Sequence, residues 1–354
     1  MADLSPLRQA LAAAQRPVLV AGEMRDGARL RAAAVDAGLP VLAEPSSHLR
    51  FAELPYDAML RAPDWAAAHR PDLVVRIGAP PTSKPLNQWL AAARTRTFLV
   101  AEHGRPDPDR IATDLLRCDP LPVVEALAGP GTSWMDQWTA AAGRAGAAQD
   151  RALEAGPLFE GQAVRALARA APPNAALFVG SSMPIRDVDT FWPATVPSQS
   201  FLGNRGASGI DGLVSSGLGM AAAWPNRPAV LLLGDLSLYH DMNGLWALRR
   251  HGLRATVVVL DNDGGGIFEF LPQAAHRDVF EEVFATPLGL RLEDVARLYG
   301  LGYACVDRAD QLPDAMADAL SADASVLLVV RFTRAASVEG HRACWRAVAE
   351  ALGD

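Results

Sequence analysis

The stretch VLDNDGGGIFEF, residues 259–270, carries an apolar, β-branched run straight into Asp261, Asn262 and Asp263 and then into three consecutive glycines. Glycine loses more backbone freedom on folding than any other residue, so three together mark a sharp turn or a close approach to the backbone. Oxygen-bearing side chains stand immediately before them. Taken alone, the segment fits a strand-to-loop turn built on Asn and Asp as well as it fits a ligand site.

A second stretch, LLLGDLSLYHDMNG (231–244), separates the two readings. Here another apolar run stops at Gly234 and presents Asp235, and Asn262 follows Asp235 by 27 residues, the length of one strand, loop and helix. In an open parallel sheet, ligands bind beyond the carboxyl ends of the strands. Two adjacent strand ends would bring one carboxylate and one amide oxygen to a single crevice. Gly264 can add a backbone carbonyl, because no side chain blocks the turn. Such a set is an incomplete Mg²⁺ site: magnesium takes hard oxygen ligands in an octahedron and commonly completes its shell with water and phosphate oxygens. A diphosphate-bearing cofactor is therefore implied.

The same strand pattern extends outward. PVLVAGE (17–23), PVLAEPS (40–46), DLVVRIGAP (72–80) and TFLVAEHG (97–104) are short apolar runs separated by helical patterns, as buried parallel strands in an α/β unit should be. After the Ala-rich helix 135–157 the alternation resumes, with strands near 175–180, 199–203, 229–234, 255–261, 302–306 and 325–332, and helices near 161–171, 209–223, 241–251, 291–299 and 309–320. The expected fold class is α/β, with two tandem doubly wound parallel-sheet domains over 1–155 and 156–354.

Composition bounds the function. At 354 residues the chain is large enough for two cores, and with half its residues hydrophobic and 21% charged it is not a disordered chain. The apolar runs are too short to span a bilayer, and the N-terminal stretch lacks the layout of a secretory signal, so a cytoplasmic location is expected. A formal charge of −7 gives no support to nucleic-acid binding, and any anionic ligand must be held by local positive charge. Cys118, Cys305 and Cys344 show no CxxC spacing and read as buried small hydrophobes.

Four stretches, GSSMPIRDVDTFW (180–192), NRGASGIDGLVSSGLG (204–219), GDLSLYHDMNGL (234–245) and DNDGGGIFEFLPQ (261–273), together resemble the thiamine-diphosphate enzymes. Within them they look like the 2-succinyl-5-enolpyruvyl-6-hydroxy-3-cyclohexene-1-carboxylate synthases of menaquinone biosynthesis, and GAPPTSKPLNQWL (78–90) extends the match into the first unit. The resemblance implies a middle domain followed by a diphosphate-binding domain. The pyrimidine-binding domain of the family, with the glutamate that activates the cofactor, would come in cis or in trans. The chain alone is then expected to lack turnover and to form part of a homo-oligomer.

The family reaction is a transfer in which 2-oxoglutarate loses carbon dioxide and its remainder is added to isochorismate. The cofactor carries the hard chemistry and the protein positions it. By resemblance, Asp235, Asn262 and the carbonyl of Gly264 hold Mg²⁺. Gly234, Ile267 and the amides around Leu236, Ser237 and Gly265 meet thiamine diphosphate, and Ile210 is the apolar wedge beneath it. Arg186 and Arg205 match the family's substrate arginines, suited to carboxylates by bidentate hydrogen bonding. Ser182 accompanies them, Ile267, Phe268 and Leu271 wall the site, and Lys84, the sole lysine, is expected to reach the same cleft.

Blander readings stand beside these. Arg186 also fits an exposed helix residue paired with Asp187 or Asp189, and Ile210 and Phe268 fit ordinary core positions. His240 beside Asp241 reads as the ordering of a helix start rather than as an acid–base pair. GLGMAA (217–222) falls inside a helical pattern and is discounted as a dinucleotide fingerprint. A non-catalytic cofactor-binding or assembly module, or another thiamine-diphosphate-dependent 2-oxoacid decarboxylase, are the alternatives in function; the two arginines favour a dicarboxylate.

Overall fold

The computed structural model describes residues 2–52, 54–194 and 198–353. It divides into two compact units. The first runs to Arg151 and includes the C-terminal stretch from Cys344, and the second comprises Ala152–Trp192 and Ser198–Ala343.

In the first unit five strands, β1 (Pro17–Ala21), β2 (Val41–Ala43), β3 (Leu73–Ile77), β4 (Arg96–Val100) and β5 (Asp114–Leu116), form one sheet in the order β2-β1-β3-β4-β5. All pairings are parallel. Alternate residues serve opposite faces, as the strand period of two demands: Val18 and Val20 enter one apolar cluster, Leu19 and Ala21 the other. The first cluster is rich in tryptophan. Trp138 lies edge-on to Trp65, Trp89 and Trp134, with ring centroids 4.8, 5.8 and 5.9 Å away.

Two boundaries differ from the sequence reading. The division falls after Arg151, inside the helix Ser133–Ala155, rather than at 155. The last turns of the helix Arg334–Leu352 belong to the first unit, where Val348 is buried in the tryptophan cluster with Trp345 and Leu352 packed against it. A continuous helical pattern gives no signal where a helix changes the core it serves. Strand β5 was not expected: three residues at a sheet edge, one of them buried, are too short to register as an apolar run. Of the cysteines, Cys344 alone is buried; Cys118 is half-buried and Cys305 exposed, and all three are free thiols.

The second unit holds six parallel strands, β6 (Ala176–Val179), β7 (Ser200–Leu202), β8 (Ala229–Gly234), β9 (Thr256–Asp261), β10 (Gly302–Val306) and β11 (Val326–Arg331). Their order, β10-β11-β9-β8-β6-β7, reverses direction between β8 and β6, which makes that gap a topological switch point. Strand β9 is buried along its whole length, which explains why TVVVLD reads as a continuous apolar run rather than an alternating one. The register sets Gly234 beside Leu260, so the ends of β8 and β9 are neighbours, as the spacing of Asp235 and Asn262 required.

The segment after β8 is helical sooner than expected. A helix opens at Asp235 and runs to Asp241, a 3₁₀ turn follows over Met242–Leu245, and a further helix covers Trp246–His251. Asp241 does order a helix start, but on a different element: its carboxylate accepts from the Ser215 amide (2.6 Å) and hydroxyl (2.9 Å) in the first turn of the helix Leu213–Ala223. No helix among the described residues is long and apolar enough to cross a membrane.

Trp138→Ala should cost about 3–5 kcal/mol, the usual range for truncating a buried aromatic side chain. Hydrogen exchange of the β1, β3 and β4 amides checks this, and unchanged protection would show that the tryptophan cluster does not hold the first sheet.

Candidate functional site

Close approach explains the glycine triplet. Gly264 has φ +135°, and a Cβ there would lie 2.3 Å from the carbonyl oxygen of Ala285. A Cβ on Gly266 would meet Asn262 Nδ2 at 2.4 Å. The chain thus folds back against the backbone at Phe284 and Ala285, and the Gly265 amide donates to the Ala285 carbonyl at 2.7 Å. Asp263, itself at φ +54°, fastens the returning loop by accepting from the amides of Leu288 and Gly289, each at 3.1 Å.

The neighbouring strand end is tied to this turn by one carboxyl. Asp235 is buried; its Oδ1 accepts from the Leu236 amide (2.8 Å) and its Oδ2 from the Gly264 amide (2.7 Å). Burial pushes this carboxyl up to about 7; the two amides oppose the shift, and the charges of Asp261 and Asp263 add to it. Asn262 is buried as well, and its Oδ1 meets no hydrogen-bond partner among the described residues. A buried acceptor without a donor is costly. A costly carboxyl beside an orphaned amide oxygen is what a bound cation would relieve. Among the described residues no group of three or more His, Cys, Asp or Glu could hold a metal, so a cation here needs oxygens from elsewhere. The donor set fits a magnesium ion shared with a diphosphate.

These groups face a cavity of about 430 Å³, within the range of small-molecule sites. Its lining includes every site residue expected from the sequence except Lys84. Ser182 and Arg186 come from beyond β6, Arg205 and Ile210 from beyond β7, Gly234 to Ser237 from the end of β8, and Asn262 to Leu271 from the end of β9. Lys84 is exposed and begins the helix Lys84–Ala93 of the first unit, and the lining residues all belong to the second.

Two of the three amides expected to meet the diphosphate have partners within the chain. The Gly265 N–H is given to Ala285 and the Leu236 N–H to Asp235, and an amide has one proton to give. Of the three, the Ser237 amide remains, in the first turn of its helix, where the helix itself offers no acceptor.

Ser182 holds an unusual backbone, φ +73° and ψ −130°, at the start of the helix Met183–Phe191. Its carbonyl accepts from Arg186 Nη1 at 2.5 Å, so the arginine is tied back to the strained residue. Asp187, one of the acids considered as a partner for Arg186, bonds His341: Oδ1 lies 2.8 Å from Nε2. Ile210 is half-buried against the core of the unit.

The cavity also has a wall the sequence did not reveal, Glu160, which is 1% exposed. Burial raises its carboxyl to about 7, with His341 opposing and Asp187 reinforcing the shift. An acid in the first turn of an amphipathic helix reads as a favourable dipole partner at the surface, and nothing in LFEGQAV distinguishes the buried case.

Comparison with known proteins agrees with this geometry. Residues 8–179 match the family described as middle domain of thiamine pyrophosphate, and residues 187–330 match the thiamine pyrophosphate enzyme C-terminal TPP binding domain. The chain belongs to the thiamine pyrophosphate enzymes. It is 39% identical to the 2-succinyl-5-enolpyruvyl-6-hydroxy-3-cyclohexene-1-carboxylate synthase of Geobacillus kaustophilus over 99% of this chain and 63% of that protein. It is 41% identical to the protein of the same name from Myxococcus xanthus, over 99% of this chain and 62% of the relative. A Haloarcula marismortui protein, also so named, is 40% identical over 92% and 58%. The chain therefore spans less than two thirds of the length of these relatives. Asp235, Asn262 and Gly264 fall within the matched C-terminal domain, whereas Ser182 and Arg186 lie between the two matched ranges.

A non-glycine residue at positive φ costs on the order of 1–3 kcal/mol. Ser182→Gly should therefore leave the protein at least as stable as wild type, and Ser182→Val should destabilise it. Urea unfolding measures both, and a lower midpoint for Ser182→Gly would refute the strain at this position.

Proposed function

We infer that this chain supplies the middle and diphosphate-binding portions of a 2-succinyl-5-enolpyruvyl-6-hydroxy-3-cyclohexene-1-carboxylate synthase, a transferase acting on 2-oxoglutarate and isochorismate. The observation that carries the reading is the single cavity that combines a cation-type donor set with two arginines, one from the helix after β6 and one from the segment after β7. The names of the relatives point the same way.

Thiamine diphosphate, when bound, supplies the electron sink that lets a 2-oxo acid lose carbon dioxide. Toward it, Asp235, Asn262 and the Gly264 carbonyl would hold Mg²⁺, Ser237 would offer its amide to the diphosphate, and Ile210 and Ile267 would give an apolar surface to the cofactor. Gly234 and Leu236 shape the strand end around them. Arg186 and Arg205 fix substrate carboxylates, with Ser182 beside them, and Phe268 and Leu271 keep water from the reacting carbon. Guanidinium groups suit this task because their paired N–H donors match a carboxylate in one plane. Two arginines in one small cavity favour a dicarboxylate over a simple 2-oxo acid. The remainder of the site comes from a pyrimidine-binding domain, in cis or in trans, within a cytoplasmic homo-oligomer.

Asp235→Ala should abolish Mg²⁺-dependent binding of thiamine diphosphate in calorimetry, and Asn262→Ala should weaken it; unchanged metal-dependent affinity in Asp235→Ala would remove the cation assignment. In the enzyme assembled with its pyrimidine-binding domain, Arg186→Ala or Arg205→Ala removes a charge-assisted contact of about 1.5–3 kcal/mol, equivalent to about a 10- to 150-fold rise in the KM for 2-oxoglutarate or isochorismate. Wild-type kinetics in both variants would overturn the substrate reading. The chain without that domain should show no release of carbon dioxide from 2-oxoglutarate in the presence of isochorismate.

A further inference from the structure

Behind the cavity wall three ionisable side chains from three helices meet out of contact with water. Glu160 opens the helix Glu160–Ala170, Asp187 lies on Met183–Phe191, and His341 on Arg334–Leu352. They are 1%, 1% and 2% exposed. The rings of Phe159, Phe270 and Phe191 enclose the imidazole, with centroids 5.0, 5.2 and 5.5 Å from it. In so apolar a pocket, each change of charge matters far more than it would at the surface.

The hydrogen bonds fix most of the protons. His341 Nδ1 lies 2.7 Å from the Ser337 carbonyl, which can only accept, so Nδ1 carries a proton. Nε2 lies 2.8 Å from Asp187 Oδ1, and the imidazole is shifted toward its charged form: burial opposes the charge, but Asp187 and Glu160 outweigh it. Glu160 Oε1 accepts from the Ser337 hydroxyl at 2.9 Å. Its Oε2 is 4.0 Å from His341 Nδ1 and has no hydrogen-bond partner among the described residues. An ionised carboxylate left in that state would be strongly disfavoured, whereas a neutral carboxyl fits the apolar surroundings.

We propose that Glu160 is a proton-dependent positioning residue for Arg186. While Glu160 is neutral, the His341–Asp187 pair is undisturbed and anchors the helix Met183–Phe191, one residue along from Arg186. When Glu160 loses its proton, Oε2 becomes a second anion beside the same imidazolium. It draws Nδ1–H away from the Ser337 carbonyl and divides the hold of His341 between two carboxylates. The grip on Asp187 loosens, and with it the placement of the Arg186 guanidinium and its bond to the Ser182 carbonyl. The sign follows from the shift: the Glu160 pKa is raised, so the anchored arrangement holds at low pH and is lost as the pH rises through neutrality.

Other charges on the packed elements do not substitute for this pair. Asp189 and Arg186 share the helix of Asp187; Arg334, Glu339 and Arg342 share that of His341; Arg165 and Arg169 share that of Glu160. The helix Leu312–Ser321, packed on Glu160–Ala170, presents Asp314 and Asp318 to solvent. Glu269, near Phe270, is paired with Arg277. His341 and Asp187 are the side-chain charges that act on the Glu160 carboxyl.

The role of Arg186 as a carboxylate ligand rests on the function proposed above, but its placement can be followed without any ligand. In the 354-residue chain the Arg186 Nε–H resonance, assigned through its loss in Arg186→Lys, should titrate across neutrality. Glu160→Gln, which cannot ionise, should hold the low-pH position at every pH. Ser337→Ala, which removes the hydroxyl that stabilises the ionised form, should keep the amplitude and move the midpoint to higher pH. Infrared difference spectra should show the carboxyl C=O bands of Asp235 and Glu160 lost across neutrality in the wild type, and Glu160→Gln should remove the band whose midpoint matches that of the Arg186 resonance while leaving the other. A flat Arg186 resonance in the wild type, or one that titrates unchanged in Glu160→Gln, would overturn the proposal. If the titration is as expected and 2-oxoglutarate binds at no pH in the enzyme assembled with its pyrimidine-binding domain, the substrate reading fails and the positioning role stands.

Discussion

The hydrogen bond from the Gly264 amide to Asp235 Oδ2, 2.7 Å long and out of water, is the contact on which the second unit's site depends. Parallel strands hold each other only as far as their ladder runs, and beyond Gly234 and Asp261 the two chains are free to diverge. Asp235 prevents that by taking one amide from its own helix and one from the opposite turn. The turn in turn requires glycine at 264, because any Cβ would strike the Ala285 carbonyl. Sequence, backbone and site are thus one constraint: the carboxyl can reach the neighbouring amide only if the glycine-rich segment is allowed to fold back.

That constraint explains which parts of the molecule were legible in one dimension. Strands buried on both faces announce themselves, so β6, β8, β9 and β11 stood close to their expected limits. So did the strand-end residues Asp235 and Asn262, because their spacing is fixed by one crossover. What stayed hidden depends on contacts between distant segments. Strand β5 is short and half-exposed, the far end of the helix Arg334–Leu352 changes core without changing its pattern, and the Gly265 amide is consumed by Ala285, twenty residues on. Glu160 was invisible for the same reason: its burial is imposed by Ser337 and His341, 177 and 181 positions away in the chain.

Two buried carboxyls, Asp235 and Glu160, are raised to about 7 in one cavity wall, and they are raised by different surroundings. Asp235 is desolvated among other acids and backbone amides, an arrangement that a divalent cation would reverse by favouring the ionised form. Glu160 is desolvated beside an imidazole that already has a closer carboxylate in Asp187, so its ionised form can only share that partner. The same burial therefore prepares one group for a metal and the other for a proton.

The strand order decides how these charges are kept apart. Reading across the sheet as β9-β8-β6-β7, the cation-type donors follow β9 and β8, while Arg186 and Arg205 follow β6 and β7. The reversal of winding lies between the two pairs. A chain that carries a net charge of −7 must assemble local positive charge to hold an anionic ligand, and two guanidinium groups close to a metal ion would repel it. Placing metal donors on one side of the switch point and arginines on the other lets one cavity offer a cation to a diphosphate and guanidinium groups to carboxylates without setting like charges side by side. The doubly wound topology supplies that separation through strand order alone, before any side chain is chosen.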